Sequence, residues 1–152
     1  MIKKLTDLKL LGLYADIMEE LRDRGLVRTS NNPVADYAEY LAAKKLGLNL
    51  LPNSYKSADA IDEKNNKKYQ IKSRRITGRN ASRQLGVIRN LDKKGFDYLV
   101  AVFFDSRFNV LDMYKIPRNI IKKYARFSKH QNGYILIMRG FILEDKKLEI
   151  IK

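Results

Sequence analysis

Four side chains have the types and spacing for chemistry on a phosphodiester: Glu39, Asp59, Gln70 and Lys72. Residues 68–73 alternate polar and apolar. As a strand they send Tyr69 and Ile71 to one side, Gln70 and Lys72 to the other. Asp59 lies near the start of a second short strand, 58–62, and the polar run 63–66 can fold the two into a hairpin. Asp59 then comes beside Gln70 and Lys72. A carboxylate and an amide oxygen are both suitable ligands for Mg²⁺. A metal held there would lower the pKa of a bound water and offset charge in the transition state. Lys72 could touch the phosphate or the attacking water. Glu39 could supply a second carboxylate from a helix.

The elements that must position these residues are legible in outline. Apolar side chains at helical spacing run from Leu8 to Leu21, with Gly25 as a stop. Asn32 can cap a second helix, with Pro33 in its first turn and Gly47 at its end. Ala35, Ala38, Ala42 and Leu46 give that helix a face of small residues, which Glu39 borders. Leu85, Ile88 and Leu91 predict a helix over 81–92, against which Gly86 counts. The run 96–104 is apolar on both faces apart from Asp97, so both of its sides should be covered. Strands are expected at 109–116, 134–138 and 148–151, with a helix from Pro117 to Tyr124. The layout is α/β, a mixed central sheet flanked by helices. The 152 residues read as a single domain over 1–152, with residues 1–30 as an N-terminal helical extension.

Charge narrows the partners. Thirty-one Lys and Arg face seventeen Asp and Glu, for a net charge of +14. Between residues 64 and 94 there are eleven basic side chains and one acid, Asp92. A second basic stretch spans 115–130. Such fields attract polyanions. Arg74, Arg75 and Arg79 could follow phosphates or read guanine. Ser73 could help hold phosphate, and Arg83 belongs to the same field. With no cysteine and one histidine, His130, the chain excludes thiolate zinc sites, disulfide scaffolds and polyhistidine clusters. There is no glycine-rich phosphate loop. Asp62 reads as a turn residue, His130 as a surface residue in a loop, and Tyr69, Tyr98, Phe103 and Phe104 as core. No stretch is long enough to span a membrane. The N-terminus reads as a helix rather than a signal peptide, so the expected compartment is the cytoplasm.

The stretch around Asp59 and Gln70-Ile71-Lys72 resembles the PD-(D/E)XK nuclease superfamily, the fold of many restriction endonucleases. In that family an Asp opens one strand, a Glu or Gln and then a Lys follow on the next, and a Glu often comes from the preceding helix. Asp59, Gln70, Lys72 and Glu39 match those positions over roughly residues 33–105. Two departures stand out: Ala58 replaces the family proline, and Gln70 replaces the commoner Glu, leaving one fewer negative ligand. The resemblance implies a restriction endonuclease-like sheet and a metal-dependent endonuclease cutting DNA. Glu39, Asp59 and Gln70 would hold Mg²⁺, or Mn²⁺ in its place. Double-strand cutting by one site per chain implies a homodimer. Two other readings stand beside it: a non-catalytic nucleic-acid-binding module on the same fold, and a structure-specific DNA or RNA nuclease.

Overall fold

The computed structural model describes residues 1–152. After a single 3₁₀ turn at Ile2–Lys4, helix α1 spans Asp7–Asp23. Thr6 caps it by accepting a hydrogen bond from the Lys9 N–H. Gly25, at φ 72°, turns the chain out of the helix in a conformation that suits glycine. Helix α2 spans Pro33–Leu46. Asn32 accepts from the Val34 N–H at 3.1 Å, Pro33 occupies the first turn, and Gly47 closes the helix at φ 66°. The caps set the ends of this helix as the sequence requires; of the expected small-residue face Ala38 and Ala42 are buried, Leu46 is half-buried and Ala35 is exposed.

Strands β1 (Asn49–Leu50), β2 (Ala60–Asp62), β3 (Lys67–Arg75), β4 (Tyr98–Phe104) and β5 (Val110–Pro117) follow, then helix α3 (Arg118–Tyr124). Strands β6 (Arg126–Ser128) and β7 (Gly133–Ile135) form a separate two-stranded sheet. A 3₁₀ turn at Gly140–Glu144 leads to β8 (Glu149–Ile150). The central sheet has the order β1-β2-β3-β4-β5-β8. Only β3 and β4 are parallel; every other pairing is antiparallel. The architecture is therefore α/β with a mixed central sheet, as the sequence pattern implies.

β4 is the centre of the core. Leu99, Val100, Ala101, Val102, Phe103 and Phe104 are all fully buried. Val100, Val102 and Phe104 join Tyr69 and Ile71 of β3 under Ala38 and Ala42 of α2. Leu99, Ala101 and Phe103 face the other way, into a cluster with Leu85, Ile88, Leu91, Leu136 and Met138. The expectation that both faces are covered is met.

The helix expected over 81–92 is not formed. A parallel pair needs a long crossover, usually a helix. Here the β3–β4 crossover is irregular. Leu85 and Ile88 donate backbone hydrogen bonds to the Leu136 and Tyr134 carbonyls at 3.0 and 2.9 Å, and Tyr134 N–H returns one to Ile88 at 2.9 Å. Met138 N–H adds a bond to the Arg83 carbonyl. Residues 134–138, expected as one strand, are thus divided between β7 and these bridges. Asn90 takes a positive φ of 60°, which no helix interior accommodates. Leu85, Ile88 and Leu91 are buried as their spacing implied, but from an irregular segment.

Candidate active site

β2 pairs with β3 for only three residues, Ala60–Asp62 against Tyr69–Lys67. Upstream of Ala60 the chain leaves the ladder, and Asp59 stands where it parts from β3. Asp59 N–H donates to the Tyr69 carbonyl at 2.8 Å. Its side-chain Oδ2 accepts from the Ile71 N–H at 2.7 Å. One carboxylate oxygen is thereby fixed against β3 between Gln70 and Lys72. The hairpin brings the three residues together as the sequence spacing implied.

Gln70 is 9% exposed, and its side-chain Oε1 is buried with no hydrogen-bond partner. A buried amide oxygen without a donor costs about 1–3 kcal/mol. Lys72, half-buried on the same face, takes part in none of the chain's ion pairs. Burial lowers its pKa, the Asp59 carboxylate raises it, and the Arg89 guanidinium lowers it again. Arg89 is thus a second cation within electrostatic reach of the site. It belongs to the 64–94 basic run, but its proximity depends on the irregular crossover.

Glu39 comes from α2. Its Oε2 accepts from Arg28 Nη2 at 2.6 Å. Burial raises the Glu39 pKa; the Arg28 bond lowers it, and the Asp59 charge raises it. Burial also raises the Asp59 pKa, against the lowering by the Ile71 N–H, Lys72 and Arg28. Two carboxylates in reach of each other, with a buried amide oxygen and a lysine, form one electrostatic unit.

Arg28 was not legible as a site residue. Its Nη1 donates to the Leu51 carbonyl at 2.8 Å. The segment that carries it is anchored by Asp36, which accepts from Arg28 N–H, Thr29 N–H and the Thr29 hydroxyl at 2.9, 2.7 and 2.8 Å. Asp36 in the first turn of α2 had a sequence signal, since acids favour that position. Arg28 had none, because its contacts depend on how the loop before α2 lies.

The nucleic-acid candidates fall into two groups. Arg79 is exposed in the turn after β3, and Arg74 is half-buried on the Lys72 side of the strand. Arg75 lies over the Phe108 ring at 5.0 Å. Ser73 points the other way, toward α2, with its hydroxyl 3.4 Å from the Val34 carbonyl. Arg83 is engaged inside the fold. It donates to the Met138 carbonyl at 2.9 Å and to Asp112 at 3.0 Å, and its guanidinium covers the Phe103 ring. These contacts give Arg83 a role in joining the crossover to β4 and β5.

No group of three or more His, Cys, Asp or Glu side chains gathers to hold a metal ion anywhere in the chain. The donors at this site are two carboxylates and one amide oxygen. No helix is long and apolar enough to cross a membrane. No protein-family model matches the chain, and no curated protein matches it in sequence.

Proposed function

We propose that the protein is a metal-dependent nuclease on a restriction endonuclease-like sheet, cutting DNA. The observation that carries this reading is the seating of Asp59. Its 2.7 Å bond to the Ile71 N–H places a carboxylate between Gln70, whose buried Oε1 is unpartnered, and Lys72, which has no ion-pair partner. Asp59, Glu39 and Gln70 are the residues that would hold Mg²⁺ or Mn²⁺. Bound there, the metal supplies an acidified water and charge neutralisation at the phosphate. Lys72 brings positive charge to the phosphate or the water, and its lowered pKa makes it a readier proton carrier than an exposed lysine. Arg28 holds one Glu39 oxygen, leaving the other for a ligand. With only two anionic ligands the site binds metal weakly until phosphate oxygens join.

Incubation with supercoiled, linear and branched DNA, in Mg²⁺, Mn²⁺ or EDTA, tests the reading. Metal-dependent cutting by the wild type is expected. Asp59→Asn and Lys72→Ala should each reduce it by about 10²-fold or more, and gel-shift binding should persist. The Arg74→Ala, Arg75→Ala, Arg79→Ala triple variant should weaken binding on unrelated sequences. It should also flatten the salt dependence, by about one unit of slope for each phosphate no longer neutralised. Full cutting by Asp59→Asn removes this site.

A second reading, a binding module without catalysis, draws on a specific observation: Glu39 is already paired with Arg28, and no third acid is present. It expects salt-sensitive binding and no metal-dependent cleavage by any variant.

A further inference from the structure

Helix α1 has the apolar content of a packed helix and little to pack against. Met18 is its one buried residue. Leu8, Leu11, Tyr14, Ile17, Leu10 and Leu13 are 80, 66, 53, 48, 42 and 37% exposed. A helix of this length draws most of its stability from burying one face, and contiguous exposed apolar surface marks an interaction site. At 100° per residue, Leu10, Leu13, Tyr14 and Ile17 share one stripe. Lys9, Asp16 and Glu20 flank one side of it.

The charge on that flank is arranged by position. Lys9 lies near the start, Asp16 and Glu20 toward the end. Within the chain Glu19 and Glu20 are paired with Arg22 and Arg24 at 2.6 Å, whereas Lys9 and Asp16 take part in no ion pair. Such a flank complements itself only when reversed.

We propose that α1 pairs antiparallel with α1 of a second copy of this chain, about a two-fold axis between Leu13 and Tyr14. Leu10 then faces Ile17 of the second copy, Leu13 faces Tyr14, and Lys9 lies against Asp16. Symmetry repeats each contact. A parallel pairing puts the two charged flanks on opposite sides of the seam, so Lys9 meets no Asp16 of the second copy. The helix itself carries five acids and two bases in a chain of net charge +14, so it is poorly suited to nucleic acid or an anionic membrane. The pairing does not rest on the nuclease reading, although it would supply the second site that a double-strand cut requires.

Sedimentation velocity without nucleic acid reads the outcome directly. The wild type is expected to be a dimer at micromolar concentration. The Leu13→Glu, Ile17→Glu double variant should be a monomer with an unchanged circular dichroism spectrum. Lys9→Glu and Asp16→Lys should each weaken the dimer about tenfold at low salt, since the axis doubles each surface pair. The two changes together should restore it. Because the chain has no cysteine, Leu13→Cys should form an intermolecular disulfide on oxidation. A monomeric wild type overturns the proposal. So does a dimer that survives the Glu substitutions, that the charge swap fails to restore, or that Leu13→Cys does not cross-link.

Discussion

The two faces of the central sheet are covered by different means. On one, α2 lays Ala38 and Ala42, both fully buried, on Val100, Val102 and Phe104. The helix satisfies its own backbone, so the face needs only small side chains and two caps. On the other, the 76–97 crossover buries Leu85, Ile88 and Leu91 with no regular structure of its own. The Leu85 N–H, the Ile88 N–H and carbonyl, and the Arg83 carbonyl are satisfied by a remote segment, 134–138. The first cover is local and self-sufficient, the second is built from two distant pieces. The candidate site draws on both, with Glu39 from the helical cover and Arg89 from the bridged one. Electrostatics at Lys72 therefore depend on a segment that is held by hydrogen bonds to residues beyond β5.

The largest effect that tests this comparison is expected from Leu85→Ala. If the crossover is core, the loss should be about 2–5 kcal/mol, as for other buried large-to-small changes. Urea denaturation measures it, and a loss under about 1 kcal/mol would make the segment a surface flap. Gly133→Ala comes next. A Cβ there would lie 2.3 Å from Val87 Cγ1 and 3.0 Å from the Ile88 carbonyl, where the two pieces meet. Overpacking should cost about 1–3 kcal/mol. Gly86→Ala is the control, because its Cβ would meet nothing within 4 Å. In a helix that change would stabilise by about 1 kcal/mol; in the irregular crossover it should gain much less.

What was legible follows the same division. Asn32, Pro33 and Gly47 announce α2 because caps act within a few residues of themselves. The hairpin of Asp59 with Gln70 and Lys72 was legible because its turn is short and its alternation strict. Leu85, Ile88 and Leu91 misled because a spacing of three residues satisfies a helix face and also an irregular segment pinned at intervals. The partner that decides between them, Tyr134 to Met138, is far along the chain. Arg28 was hidden for a related reason: its contacts with Glu39 and Leu51 depend on the path of a loop. Short β1 and β6, paired for two and three residues, carry too few side chains to show a pattern.

On the helical face a smaller effect is expected from Asn32→Ala. The Asn32 side chain satisfies the Val34 N–H at 3.1 Å, and losing such a cap costs about 1 kcal/mol. Because α2 also carries Glu39 and the Asp36 anchor, the proposed nuclease activity should fall with it if fraying reaches the second turn. Unchanged stability would mean that packing on Ala38 and Ala42, rather than the cap, sets the start of the helix.

The smallest effect is expected from Asp59→Asn on stability without metal, and its sign depends on pH. Burial raises the Asp59 pKa in the fold more than the Ile71 N–H, Lys72 and Arg28 lower it. Between the unfolded and folded values the native state then binds more protons than the unfolded chain, so stability falls as pH rises through the folded pKa. Below the unfolded value both states are protonated and the carboxyl costs nothing as a charge. Asparagine stays neutral throughout and keeps an oxygen that can accept from the Ile71 N–H. The variant should therefore melt above the wild type at pH 8, and the difference should vanish as pH falls below the ordinary carboxylate range. If the site holds Mg²⁺ as proposed, the added ion should narrow the gap by stabilising only the wild type, since a ligand that binds the native state raises its stability. An Asp59→Asn protein that melts below the wild type at pH 8 would show that Lys72 and Arg28 outweigh burial. The carboxylate would then be an ordinary structural ion-pair partner rather than an anion kept at a cost.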